Sequence, residues 1–472
     1  MRANAGLIGV VIVCMTIFVA LIIGAMTSIF PWWLMLVLFI PPLVFWLGAK
    51  WPPVAMVVAL SAAYGFMPIG LIAADIVVLG FVAFIAWVYR KQLYKVITSF
   101  ESVVWTTGLL MAWGLFSIIY GHFYRLNPIE PVYSESMTLA YWTIMFPILL
   151  IGHDKKRSTY TFYVLMLLGT ALGVIALCQS IFGLRLTFGG LSGVAELTSD
   201  EGGIAGLARS SIPGILLLVF MLLVALFKTI GDHTKYRFLW GCLFVVLFMA
   251  LIVTFGRAIW AATFVAALVG AFLCGRGPFL RFIFIGGPIF VSLIVVLYIF
   301  EPDFVAGIFN RLLSVRTEFT AKGSSLKWRL IENQFAYVAM ANNPIMGIGL
   351  GGEYKPRLID MRQFRAQTHY IHNGYYFIFM KMGLIGMTLY MLNCFNILRL
   401  SWRNRSEAGV DATLQNALIA LYVVAFIVNV TQPEFMQGPS VASLAAVSAV
   451  VMSLGHWHRR SVGKEPTPNK TA

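Results

Sequence analysis

The chain has 472 residues, with 34 Lys plus Arg against 19 Asp plus Glu, a formal net charge of +15, 60% apolar residues and only 11% charged ones. Soluble domains run near ~45–50% apolar and ~25% charged, so this composition excludes a water-soluble enzyme and a disordered chain alike and leaves a polytopic membrane protein. Cys14, Cys178, Cys242, Cys274 and Cys394 sit in apolar stretches without a CxxC pair, so neither a disulfide framework nor a cysteine metal site is readable.

A bilayer core takes about 20 apolar residues in helical form, because every backbone polar group there must be satisfied internally. Fourteen runs qualify or nearly qualify, beginning near Gly6, Trp32, Pro53, Ile69, Ser102, Met137, Thr159, Ser211, Phe238, Ala258, Phe282, Gly374, Ala412 and Val441. The first is longer than the roughly 7–15 apolar residues of a signal-peptide core and is read as an anchor that stays. Gly65, Pro68 and Gly70 divide the third from the fourth, which are two short spans or one broken helix with a re-entrant piece. The predicted fold is therefore all-α, a polytopic membrane protein with 12 to 14 transmembrane helices.

Short-loop Lys and Arg stay on the cytoplasmic side. Arg90, Lys91 and Lys95 mark one such loop, followed by Lys155, Lys156 and Arg157, by Lys228, Lys235 and Arg237, by Arg276 and Arg281, by Arg399, Arg403 and Arg405, and by Arg459, Arg460 and Lys464 in the tail. The clusters recur after every second span, which puts both termini inside and the loops 121–136, 183–210, 301–373 and 431–440 outside. The chain then divides into transmembrane helices over 1–300, one large outer loop over 301–373, C-terminal transmembrane helices over 374–456 and a tail over 457–472.

The large loop carries nine basic residues against six acids, which the charge rule tolerates because it weakens for loops beyond about 60 residues. Within it Leu326, Leu330, Ile331, Phe335 and Val338 recur at helical spacing, predicting an amphipathic helix that lies on the other spans or on the membrane surface. Asn343, Pro344 and Gly347 stop it. The run Gly347, Gly349, Gly351, Gly352 predicts a flexible turn whose amides could face an anion.

His372 and Asn373 stand at the entrance to the next span, and Gly383 and Gly386 follow within it. Glycines three apart form a small face that lets another helix approach closely; the plainer alternative for His372 is a helix cap. Arg209 precedes a span, Arg257 stands between two long apolar runs with no acid nearby, and Arg311 or Arg316, with Arg329, comes from the large loop. One such arginine alone reads as a snorkelling anchor. A set of them on one side suits phosphate, because guanidinium is a planar fork of donors that stays charged.

These residues resemble the O-antigen ligase and O-antigen polymerase superfamily. His372-Asn373, nine residues, then Gly383-x-x-Gly386, preceded by Asn343-Pro344-Ile345-Met346-Gly347-Ile348-Gly349, looks like its signature. Phe255-Gly256-Arg257-Ala258 is similar to its intramembrane arginine motif, where many members have Ser in place of Gly256, and Ser325-Leu326-Lys327-Trp328-Arg329 resembles the loop arginine before the amphipathic helix. The likeness covers mainly 254–386.

The resemblance implies a metal-independent inverting glycosyltransferase in a bacterial inner membrane, with its active site facing the periplasm. The donor would be an undecaprenyl-diphosphate-linked glycan. The acceptor would be a lipid A core sugar in a ligase, the type it looks nearest, or a lipid-linked glycan in a polymerase. His372 would be the base and Arg257 and Arg329 the diphosphate ligands, with Arg209 and Arg316 beside them and Asn373, Gly347, Gly349, Gly383 and Gly386 in support. No cofactor, metal or nucleic-acid partner is implied. Two other readings are a lipid-linked sugar transporter, which more often shows repeats and paired broken helices, and a metal-dependent transferase using Glu301 with Asp303, or His369 with His372.

Overall fold

The computed structural model describes residues 50–65, 71–182, 194–196, 208–210, 212–231, 236–300, 302–303, 305–310, 313, 325–356, 368–406 and 411–462. The chain divides into two compact units, Met1–Met56 and Val57–Ala472. The first is described only over 50–56, where helix α1 (Pro52–Ala63) opens; the runs expected from Gly6 and Trp32 lie outside the described residues.

Among its described residues the second unit is helical apart from one antiparallel ribbon of two three-residue strands, β1 (Val194–Glu196) and β2 (Ala208–Ser210). In chain order its helices are α2 (Leu71–Val88), α3 (Leu93–Ser99), α4 (Glu101–Ile119), α5 (Ile129–Ala140), α6 (Met145–Ile151), α7 (Lys155–Phe182), α8 (Ile215–Gly231), α9 (Arg237–Ile252), α10 (Arg257–Leu273), α11 (Arg276–Arg281), α12 (Gly287–Phe300), α13 (Ser325–Asn342), α14 (Gly374–Arg405), α15 (Ala412–Val428) and α16 (Gly438–Val462).

Among the described residues, five segments are long and apolar enough to cross a bilayer: Glu101–Tyr124, Ile129–Ile151, Lys155–Phe182, Gly374–Arg405 and Gly438–Trp457. A sixth arises if Ile72–Val88 and Arg90–Ser99, bent by 71°, count as one span. Five shorter apolar helices, α1, α8, α9, α10 and α15, have 10–17 residues. The described residues thus give a multi-pass protein with fewer full-length spans than the sequence predicts.

Helix α8 is apolar on every face, and Leu216 to Phe227 are buried without interruption. It packs against α7, α9, α10, α15 and α16, as a helix with no polar face must. The outward faces of α4 and α7 carry Trp105, Leu109, Leu115, Tyr163 and Leu167, all exposed. That much apolar surface suits lipid rather than water. Inside, polar side chains join helices: Thr106 and Thr107 of α4 donate to Asn393 Oδ1 of α14 at 3.1 and 2.9 Å, and Trp142 donates to the Tyr390 hydroxyl at 3.2 Å, which donates to the Phe435 carbonyl at 3.0 Å.

The basic loops placed on one side by the sequence meet in space. Lys95 Nζ reaches the His153 carbonyl (3.4 Å) and Arg157 the Tyr89 hydroxyl (2.8 Å). Lys228 pairs with Asp411 at 2.6 Å, and Arg281 donates to the Ile230 carbonyl at 3.0 Å. Arg403 and Arg405 lie in the last turn of α14. His372 lies two residues before its first residue, Gly374, at the opposite end of this 32-residue helix, which is kinked at Gly383.

Helix α13 falls where the loop spacing predicts a helix, but its orientation differs. The residues it buries are Glu332, Ala336 and Met340, whereas Leu330 and Val338 of the expected apolar stripe are exposed, as is Tyr337. The face that meets α14 is chosen by an ion pair and small residues rather than by the larger hydrophobic side chains. Arg329 lies inside the helix, in its second turn, rather than before it.

Candidate active site

The Gly383 kink in α14 builds the site. Gly383 has φ +66°, and a Cβ there would stand 2.0 Å from the Ile345 carbonyl oxygen; only glycine tolerates both. The break withholds the usual helical donors from the carbonyls before it, and the turn after α13 replaces them. Ile348 N donates to the Met380 carbonyl (2.8 Å) and Gly349 N to that of Lys381 (3.0 Å), while Leu384 N donates to the Pro344 carbonyl (2.8 Å). Trp113 Nε1 takes the Met382 carbonyl at 2.9 Å. Gly347, at φ +74°, lies so close that a Cβ would be 2.5 Å from the Lys381 carbonyl carbon. The Pro-x-x-Gly-x-Gly turn and the Gly-x-x-Gly pair are thus two halves of one joint. Gly383 accommodates backbone at a kink, not a neighbouring helix. Gly386 meets the helix-approach expectation, lying against Trp113 of α4.

One amide of the glycine run, that of Gly351, faces an anion, and the anion belongs to the protein. Gly351 N donates to Glu135 Oε2 (2.6 Å), while Lys381 Nζ donates to Glu135 Oε1 (2.9 Å) and to the Gly352 carbonyl (2.6 Å). Lys381 is completely buried and Glu135 nearly so. Removing one member of such a pair leaves a buried charge without its counterion, costing about 3–5 kcal/mol. Lys381→Met is expected to lower the unfolding temperature sharply in detergent, and Glu135→Gln/Lys381→Met to recover much of the loss; equal melting of wild type and single variant would show that the pair carries no stability.

Asn373 caps α14, its side chain accepting from Tyr375 N (3.0 Å) and Tyr376 N (3.1 Å). That cap fixes the residue before it. His372 Nδ1 donates to Glu332 Oε2 at 2.7 Å, and its backbone N to the same oxygen at 3.3 Å; Lys355 Nζ donates to Glu332 Oε1 at 2.7 Å. Lys355 and Glu332 are buried, whereas the His372 side chain is 36% exposed. Burial pushes the Glu332 carboxyl up, but the hydrogen bonds and charges of His372 and Lys355 outweigh it and hold it below the usual carboxylate range. Glu332 is therefore ionised at neutral pH.

Beside this group lies a cleft of about 600 Å3, lined by Glu135, Thr138, His369, Tyr370, Glu434 and Gln437 among others. Tyr370 joins the two: its ring packs edge-to-face on His372, centroids 5.1 Å apart. Burial, with the nearby charges of Glu434 and Glu332, raises its pKa and keeps it a phenol. Burial lowers the pKa of His369, so that ring is neutral at pH 7. Glu434, bonded by the Ser440 hydroxyl, has its carboxyl pushed up by burial.

Arg257 is the first residue of α10, half-buried, immediately after a break where Phe255 takes φ +49°. Its neighbours Thr254 and Gly256 line the cleft. Arg329 lies one turn before Glu332 on α13 and acts electrostatically on Tyr370. Arg209 sits on β2 opposite Ala195. Arg311 and Arg316, and Glu301 of the metal alternative, lie outside the described residues. Among the described residues no group of three His, Cys, Asp or Glu side chains converges as metal ligands.

Sequence reasoning missed Glu332, Lys355, Tyr370 and the Glu135–Lys381 pair. Lys381 did leave a signal, a lone cation inside an apolar span, which demands a partner.

Residues 242–391 match the family model described as O-antigen ligase. The match runs from α9 into α14 and takes in Arg257, Arg329, the glycine turn, His372 and the Gly383 joint. Over that stretch the chain is similar to the O-antigen ligase family. No curated protein matches the chain.

Proposed function

We propose that the chain is a metal-independent inverting glycosyltransferase. It moves a glycan from undecaprenyl diphosphate to an acceptor sugar hydroxyl on the periplasmic face of a bacterial inner membrane, with both termini in the cytoplasm. The observation that carries this is the 2.7 Å bond from His372 Nδ1 to the buried Glu332 carboxylate, next to a polar cleft and within the matched stretch. An acceptor bound in the cleft would find carboxylate, amide and hydroxyl partners beside the aromatic rings of Tyr370 and Phe377.

In this reaction His372 Nε2 takes the proton of the acceptor hydroxyl. The freed oxygen bonds to the anomeric carbon from the face opposite the diphosphate, and the anomeric C–O bond breaks with its electron pair leaving on the lipid diphosphate. Arg257 and Arg329, with Arg209 and Arg316, bind the charge that grows there, work that a divalent metal does in other enzymes. We assign the acceptor as lipid A core, which makes the enzyme an O-antigen ligase.

Deleting the gene tests the assignment. A ligase leaves lipid A without polymer while lipid-linked polymer accumulates. Single repeat units in place of polymer would make it a polymerase. Lipid-linked glycan held on the cytoplasmic face would make it a transporter.

A further inference from the structure

We infer that Glu332 is a positioning residue for His372, fixing which ring nitrogen carries the proton and where the other one points. The inference rests on His372 being the base. Three separate segments meet here: Glu332 from α13, Lys355 from just beyond the glycine turn, and His372 from the residue before the α14 cap. An ionised carboxylate accepts and cannot donate, so the proton on a neutral His372 ring stands at Nδ1 and the lone pair at Nε2. The backbone bond from His372 N to the same oxygen holds the main chain as well as the ring, leaving the imidazole little rotation.

Lys355 completes the arrangement. Lysine, carboxylate and neutral imidazole sum to no net charge, which a site this buried tolerates better than a lone carboxylate. When the ring takes a proton from the acceptor, the imidazolium forms against a carboxylate already in contact, with no rearrangement. Without Glu332 the ring would lose its tautomer preference and its aim while the diphosphate ligands stayed in place. The same three groups could instead be a tether for the large loop, and a loop tether and a positioning residue differ in what they do to rate.

The test is a double-mutant cycle on the full-length protein with lipid-diphosphate-linked glycan and acceptor, comparing Glu332→Gln, His372→Ala and both together, with thermal unfolding alongside. Glu332→Gln is expected to lower kcat on the order of 100-fold or more, as when the carboxylate that orients a catalytic histidine is made an amide, while donor KM stays within about twofold. In the His372→Ala background it should cost nothing more, because the residue it acts through is gone. Glu332→Gln/Lys355→Met removes the stranded ammonium; it should unfold at the wild-type temperature and still be slow, which keeps the test valid if the single variant folds poorly. Wild-type rates in the folded Glu332 variants with an inactive His372→Ala would overturn the positioning role and leave the base standing. Additive losses in the cycle would make Glu332 a separate structural element. A fully active His372→Ala would overturn the base, and this inference with it.

Discussion

His372→Ala is expected to cut glycan transfer to a small residual rate while the protein still reaches the membrane and still binds the lipid-diphosphate donor. Losing the base raises the barrier for the acceptor's attack but leaves ground-state contacts with the diphosphate untouched. The fold should survive: Asn373, not His372, caps α14, and Glu332 keeps its bond from Lys355. Rate and donor binding therefore separate in this variant. His369 is the control, because it lines the cleft and burial keeps it neutral. His369→Ala should lose far less activity, and a larger loss there than at position 372 would move the base to His369.

Arg257→Lys should impair transfer on the order of 100-fold although the charge is kept, the scale seen when one preorganised donor to a developing negative charge is removed. Arg257 opens α10 at the edge of the cleft, where the N-terminal amides of the helix already favour an anion. Guanidinium adds two parallel donors in a fixed plane, matched to phosphate oxygens. An ammonium offers a point charge on a flexible stem and loses that match. Wild-type rates for the lysine variant with purified donor would reduce Arg257 to an interface anchor.

The turn at Gly347 was legible in the sequence because a run of glycines marks a local backbone requirement, met by its positive φ. Gly383 read as a helix-packing glycine and His372 as a possible cap, whereas Gly383 is the kink and Asn373 the cap. What those stretches join was not legible. That the turn donates to the carbonyls freed by the Gly383 kink depends on contacts more than thirty residues apart in sequence. Glu332 was hidden more thoroughly: it falls between Ile331 and Phe335 in a stripe that reads as apolar, and helical spacing says which residues share a face but not which face is buried. The helix turns its acid inward because Lys355 and His372 wait there, and side-chain partners 23 and 40 residues away leave no periodic trace. Lys381 was the readable clue. A lysine within an apolar span implies a buried acid, and Glu135 was overlooked because the span holding it begins at Ile129 rather than near Met137.

Purified wild-type protein given undecaprenyl-diphosphate-linked glycan and acceptor in the presence of EDTA should still transfer, because protein groups alone serve the lipid diphosphate. Glycosidic product and free undecaprenyl diphosphate are expected in equal amounts, at the rate seen without the chelator. Transfer that stops in EDTA and returns with magnesium or manganese would overturn metal-independent transfer.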